Sequence, residues 1–155
     1  MNRGYHEIKE HGKREFPFNI YPCSIPVDFS HVALHWHEEM EIIAVKKGKG
    51  RITVDTVSYP VEEGDILAVF PGQLHAISCG NGERMEYENI IFRLSMLMGD
   101  NGDGCTVHFL KPLQEGRPPS ALPSTSRTGT CIPRAKRAFT ISQSPLAFLE
   151  CSPRR

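Results

Sequence analysis

The sequence predicts an all-β fold, a single small antiparallel barrel built from short strands and tight turns. From residue 42 to residue 94, segments of about five residues rich in β-branched side chains alternate with Gly, Asp, Asn and Pro. Turns spaced in this way are typical of barrels and sandwiches, in which neighbouring strands pair antiparallel. Four side chains of types that bind metals lie just before these segments or within them: His35, His37, Glu41 and His75. A barrel interior would bring such residues together.

The elements follow in order along the chain. Residues 1–15 are polar and charged, and we expect a flexible N-terminal arm ahead of a barrel that spans 16–98. Strands are predicted over residues 42–46, 51–54, 57–61, 66–70, 75–79 and 85–94. We expect the first strand to end at a glycine turn, 47–50, and the chain to reverse again at Asp55-Thr56 and at Pro71-Gly72.

The composition changes after the post-barrel segment, which covers residues 99–116. Residues 1–116 carry 11 basic and 17 acidic side chains, whereas residues 117–155 carry 7 basic and 1 acidic. The six Pro and six Ser of the second part interrupt any helical period, and no helix-turn-helix can be read there. We therefore expect 117–155 to be a disordered or out-of-frame tail, with at most weak electrostatic attraction to nucleic acid.

Charge and cysteine usage exclude several classes of protein. The formal net charge of zero gives no overall attraction to nucleic acid or membrane, and no apolar run is long enough to span a bilayer. The five cysteines form no C-x-x-C pair, and the polar first residues resemble no secretory leader. We therefore expect a cytoplasmic protein that does not enter a membrane.

The four metal-binding side chains have a spacing that can bring them to one point. His35 and His37 are two residues apart, so on a strand they face the same side. A turn at 38–40 would let the next strand offer Glu41, and His75 would arrive from a later hairpin. Imidazoles with a carboxylate suit divalent transition metals such as Zn, Ni, Mn or Fe. A metal-free pocket, in which these groups hydrogen-bond a ligand or one another, stays open.

Two half-motifs in this region resemble those of the cupin family, over roughly residues 16–97. The first is His-x-His, three residues, Glu, six residues, Gly, and the second is Gly, seven residues, Gly, two residues, His; they comprise His35, His37, Glu41, Gly48, Gly64, Gly72 and His75. Three positions depart from the cupin pattern without removing a ligand: Phe29 for Gly, Pro71 one place late, and Cys79 for Asn. The resemblance implies a cupin barrel.

Longer sequence segments point to one group within the cupin family. HWHEEMEI, YPVEEGDILAVFPGQLHAI and ENIIFRLSML closely resemble the N-terminal effector-binding domain of AraC-type transcriptional regulators. The resemblance implies a small-molecule effector, often a sugar, in a pocket formed by His35, His37, Glu41, His75 and Trp36. It also implies a homodimer formed through post-barrel helices. DNA binding would require the helix-turn-helix units of full-length relatives, so we expect a chain truncated before them.

Two alternatives to a sensor remain, one based on the same residues and one on the expected truncation. A three-His, one-Glu centre with open positions can serve a metal-dependent cupin enzyme of the dioxygenase or isomerase type. Against an enzyme, the only further acid or base candidates are Lys46 and Glu39. Glu39 would face inward with His37 and Glu41 if the strand ran straight through, and a turn would leave it in solvent. The other alternative is a stand-alone metabolite-binding module. We expect a sensor and not an enzyme.

Overall fold

The computed structural model describes residues 3–99, 102–116 and 130–132. They form eight strands: β1 (Phe18–Ile25), β2 (Val32–His35), β3 (Met40–Val54), β4 (Val57–Glu62), β5 (Ile66–Val69), β6 (His75–Ser78), β7 (Met85–Phe92) and β8 (Thr130–Ile132). The predicted all-β class is confirmed. The helical elements are 3₁₀ turns at Arg3–Tyr5 and Leu94–Leu97, a π-helical turn at Thr106–Leu110, and the single-turn helix α1 (Lys111–Gln114). The predicted tail lies outside the described residues, apart from β8.

Strand β3 belongs to both halves of the curled sheet. Its first part pairs with β5 and β7, in a sheet whose strand order is β1-β7-β3-β5-β8. Its second part, from Lys49 to Val54, pairs with β4, and from Arg51 onward also with β6, which in turn pairs with β2. All of these pairs are antiparallel. One long strand therefore connects two sheets that enclose a common interior.

The predicted glycine turn at 47–50 is wrong, because β3 continues through it. The strand runs from Met40 to Val54, and its register against β7 shifts between Val45 and Lys47. Gly48 has φ +79°, and a Cβ at this position would collide with the carbonyl group of Arg84. The glycine therefore serves a β-bulge that bends the strand, rather than a reversal of the chain.

The predicted turn at Asp55-Thr56 is confirmed, and it also holds the loop before β6. Val54 pairs with Val57 across the hairpin, and Asp55 takes a positive φ of 52°. Its carboxylate accepts hydrogen bonds from the Leu74 backbone N–H at 3.2 Å and from Gln73 Nε2 at 3.3 Å. The β3–β4 hairpin therefore fixes the residues that lead into His75.

The core has two parts. Inside the curled sheet, eleven buried side chains from both sheets pack together: Ile25, Ile43, Val45, Ile52, Val54, Val61, Leu67, Val69, Ile77, Met85 and Tyr87. A smaller cluster joins Met40 and Leu94 to Leu110 of the π-helical turn. Each such buried side chain contributes about 1.5–3 kcal/mol. The second cluster therefore attaches the post-barrel segment to the sheet.

No helix in the described part of the chain is long and apolar enough to cross a membrane.

Candidate metal centre and adjoining groove

The structure brings together the four side chains that the sequence predicted as ligands, which we call the quartet: His35, His37, Glu41 and His75. Their ligand atoms all lie within 4.8 Å of one another. His35 ends β2, Glu41 is the second residue of β3, and His75 begins β6. Three strands therefore converge here. His37, Glu41 and His75 are buried, whereas His35 is partly exposed.

Each histidine of the quartet is oriented by the backbone. The Nδ1 atoms lie within hydrogen-bond distance of carbonyl oxygens: His35 to Ala33 at 2.8 Å, His37 to Glu39 at 3.1 Å and His75 to Gln73 at 3.0 Å. A carbonyl oxygen can only accept, so the proton of each ring is assigned to Nδ1. In the neutral ring, Nε2 then carries the lone pair that a metal ion requires, which is how metal-binding histidines are usually held.

Glu41 lies between two of these nitrogens. Its Oε2 atom is 3.0 Å from Nε2 of His37 and 2.9 Å from Nε2 of His75. The second contact is close enough for an ion pair but is not aligned as a hydrogen bond, so Nε2 of His75 is buried without a hydrogen-bond partner. A nitrogen lone pair facing a carboxylate is unfavourable unless a cation or a proton lies between them. These residues therefore fit a divalent cation.

The electrostatic environment keeps Glu41 ionised. Burial acts to raise the pKa of Glu41, but its contacts with His37 and His75 outweigh burial and lower the pKa to about 2. Burial likewise acts to lower the pKa of His75, but the Glu41 carboxylate more than offsets this and raises it. The pKa of His35 is lowered, first by burial and then by the charge of His75. The quartet thus contains one stable negative charge.

The loop between β5 and β6 positions two of the histidines. The Gly72 N–H donates to the backbone carbonyl of His37 at 2.8 Å, and the Phe70 N–H donates to Oε1 of Gln73 at 2.9 Å. The carbonyl of Gln73 in turn faces Nδ1 of His75. Gly72 has φ +79°, as the predicted turn at this point requires.

Glu39 is buried, so of the two alternatives for this residue the solvent-facing one is wrong. The chain does bend at residues 38–39, but only 5% of Glu39 is exposed. Nε of Arg93 donates to Oε1 of Glu39 at 3.1 Å, and the other carboxylate oxygen lies 3.8 Å from Nδ1 of His37. The arginine neutralises the buried carboxylate, which therefore turns inward.

An N-terminal segment, defined as residues 3–16, lies against the quartet, and none of its residues was among the predicted ligands. The Glu7 N–H donates to the carbonyl of Trp36, and the Trp36 N–H donates to the carbonyl of Tyr5, both at 2.9 Å. The ring of His6 stacks on Trp36 with centroids 4.3 Å apart. The carboxylate of Glu7 reaches His35 and the buried His11. No local spacing signals this contact.

Trp36 faces a groove next to the quartet rather than the quartet itself. The groove has a volume of about 500 Å³ and is lined by barrel residues and by the post-barrel segment, including Trp36, Glu38, Arg93, Gln114 and Glu115. Three members of the quartet, His37, Glu41 and His75, are buried, whereas Trp36 forms part of the wall of this groove.

Residues 26–122 match the sequence model of a family described as the AraC-like ligand binding domain. A curated relative is the uncharacterized HTH-type transcriptional regulator YdeC of Bacillus subtilis, which is 27% identical over 88 residues. That match covers 56% of this chain and 30% of the relative. The chain therefore spans less than a third of the relative's length.

Two solved structures superpose on about half of this chain. A cupin protein of Bacteroides fragilis has a TM-score of 0.41 and 26% identity, and the overlap covers 53% of this chain and 67% of that one. A predicted oxalate decarboxylase of Thermotoga maritima has a TM-score of 0.40 and 25% identity, with 50% and 64% covered. Overlaps at this level do not identify a ligand or an activity.

Proposed function

Because the chain belongs to the AraC-like ligand-binding domain family, we propose that it senses a small molecule next to a divalent transition metal held by the quartet. The predicted sensor class agrees with the family match over residues 26–122. The observation that carries the metal proposal is the convergence of three Nε2 atoms and one buried carboxylate, with every Nδ1 already tied to a backbone carbonyl.

Zn, Ni, Mn and Fe all accept imidazoles together with a carboxylate. A bound ion would supply positive charge and open coordination positions at the end of the barrel. The chain itself supplies the orientation, since the carbonyls of Ala33, Glu39 and Gln73 hold the three rings in place. Burial of Glu41 and His75 keeps competing water away from the ligand atoms.

The groove next to the quartet is the proposed effector site. Its volume of about 500 Å³ lies within the range of about 300–1,000 Å³ that is usual for small-molecule sites. Trp36 offers an aromatic face, while Glu38 and Arg93 offer charged groups that can hydrogen-bond hydroxyls. A sugar or related polyol fits this chemistry. A molecule bound there would contact both the barrel and Glu115, which would couple effector binding to the post-barrel segment.

The single tryptophan of the chain gives a direct test. Fluorescence excited selectively at tryptophan, and not at the four tyrosines, reports on Trp36 alone, so a panel of monosaccharides and polyols can be titrated against the full chain. We expect a saturable change with at least one compound, and calorimetry should show that Trp36→Ala weakens its binding. If no compound of the panel perturbs Trp36, the proposed sugar class is wrong.

Dimer formation would use the post-barrel segment. Val107 and Phe109 expose 41% and 48% of their surfaces on the π-helical turn. An exposed apolar pair beside the second core cluster suits contact with a second copy. Sedimentation equilibrium of the full chain should show a dimer, and Phe109→Ser should shift it toward monomer. DNA contact would belong to the helix-turn-helix units of full-length relatives.

A cytoplasmic location is part of the proposal. Cys23, Cys79 and Cys105 are free thiols among the described residues. Thiols persist in a reducing compartment.

A metal-dependent enzyme of the dioxygenase or isomerase type is the second candidate, and the same four ligands favour it. Burial of His37, Glu41 and His75 argues for a binding role, because a substrate would have to displace the N-terminal segment beside His35 to reach the metal. Dioxygen uptake or product formation by the Fe-loaded protein would favour the enzyme. A sensor binds its effector without consuming it.

A further inference from the structure

A second carboxylate, that of Glu7, faces the quartet from the N-terminal segment. Its Oε2 atom lies 3.7 Å from Nε2 of His35, the nitrogen left free by the Ala33 carbonyl. His35 is also the most exposed member of the quartet, with 20% of its side chain accessible. Glu7 therefore covers the one edge of the quartet that the barrel leaves open.

Glu7 is held in this position by contacts at both ends of the residue. Its backbone N–H donates to Trp36, which is the neighbour of His35 in the chain. Its carboxylate lies 3.3 Å from Nε2 of His11, whose side chain is 3% exposed. Nδ1 of His11 in turn lies 3.2 Å from the hydroxyl of Tyr21 on β1. The Glu7 carboxylate is therefore held by specific contacts and does not project freely into solvent.

The net charge of the quartet with a metal ion bound gives Glu7 a role. Three neutral imidazoles and one carboxylate around a divalent ion leave a net charge of +1 at a buried site, which is costly without a further anion. Glu39 does not supply that anion, because Arg93 pairs with it. Within the described part of the chain, Glu7 forms ion pairs only with histidines. It is therefore the carboxylate available to balance the excess charge.

We propose that Glu7 is a further residue of the metal centre, a positioning residue that balances its charge and couples metal binding to docking of the N-terminal segment. This inference rests on the proposed metal site. Glu7 lies outside the group of four whose atoms are within 4.8 Å of one another, so it acts beside His35 and not as one of the four ligands. Coupling is reciprocal, so a docked segment strengthens metal binding and a bound metal strengthens docking.

The test compares two charge removals on the same segment. Glu7→Gln keeps the shape of the side chain and removes its charge, and Glu10→Gln removes an equal charge from an exposed position. Both full-length variants and the wild type are stripped of metal, checked for folding by circular dichroism, and titrated with Co²⁺ against a chromophoric chelator. Amide hydrogen exchange at residues 7 and 36 then reports docking of the segment, since these N–H groups donate across it.

We expect Glu7→Gln to lose roughly tenfold or more in Co²⁺ affinity, as is usual when a partner of a metal ligand is removed. Glu10→Gln should stay within about twofold of the wild type, because exposed charges are screened. Co²⁺ should slow exchange at both amides in the wild type and in Glu10→Gln, but not in Glu7→Gln. If the wild type and Glu7→Gln bind Co²⁺ with equal affinity, or if both variants lose equal affinity, the role proposed for Glu7 is wrong while the metal site itself stands. A wild type that binds no Co²⁺ would overturn the metal site and this inference together.

Discussion

Without a metal ion, the raised pKa of His75 favours a proton on its Nε2 atom, between the ring and the Glu41 carboxylate. Replacing Glu41 by Gln removes this ion pair and should destabilise the metal-free protein, because Glu41 is 1% exposed. The pKa of this carboxyl falls from 4.5 to about 2 in the folded protein. Since one pH unit corresponds to about 1.4 kcal/mol, the ionised group adds about 3 kcal/mol to the free energy of unfolding at neutral pH. Gln occupies a similar volume and cannot provide this stabilisation.

The lowered pKa also fixes the pH range of the effect. A carboxyl whose pKa is lowered on folding contributes its full stabilisation above 4.5, its ordinary value, and loses it as the pH falls toward 2. The wild type should therefore lose about 3 kcal/mol through Glu41 across this range. The variant Glu41→Gln has no such titration, so the two stability curves should converge in acid.

Urea unfolding in the presence of EDTA measures both effects by linear extrapolation. Glu88→Gln is the matched control, because it breaks an exposed ion pair with Lys46 at 2.8 Å and should cost less than about 1 kcal/mol. If Glu41→Gln costs no more than this control at neutral pH, the histidines do not stabilise the buried carboxylate and the reasoning is refuted.

Two further substitutions test the bulge in β3 and the ion pair between Arg93 and Glu39. Gly48→Ala combines a positive φ with a collision against the Arg84 carbonyl, whereas Gly64→Ala has φ +90° and open space around the new Cβ. Gly64→Ala should cost about 1–2 kcal/mol and Gly48→Ala clearly more, measured by urea unfolding; equal costs would contradict the proposed bulge contact. Arg93→Gln leaves the buried Glu39 without its cation and should cost about 1–3 kcal/mol. Arg84→Gln breaks only an exposed ion pair and should cost less than about 1 kcal/mol; a similar cost for both would contradict the role of Arg93.

The grouping of His35 with His37 could be predicted from the sequence because it is set by local geometry, whereas Glu41 and His75 lie on other strands and joined the prediction through the spacing of the two cupin-like half-motifs. Residues two apart on a strand share a face, which placed His35 and His37 together. The turn at Asp55-Thr56 could likewise be predicted, since a two-residue turn between apolar segments is a local signal. Both features depend on neighbouring residues and not on distant contacts.

The features that were missed depend on distant partners. Strand β3 continues past Gly48 because β7 pairs with it there, although glycines in sequence suggest a turn. Glu39 is buried because Arg93, 54 residues further on, neutralises it. Glu7 reaches His35 only because the N-terminal segment pairs with Trp36. Spacing along the chain cannot reveal such contacts.

The most direct test of the metal proposal is a titration of the metal-stripped full chain with Zn²⁺, Ni²⁺, Mn²⁺ and Fe²⁺, followed by thermal unfolding. We expect one ion per chain to bind, with His75→Ala abolishing the binding. An ion present at 100 times its Kd adds about 2.7 kcal/mol to the stability, which corresponds to a rise of several degrees in Tm. Unchanged Tm and no measurable binding with all four metals would show that the quartet is a metal-free hydrogen-bonded cluster.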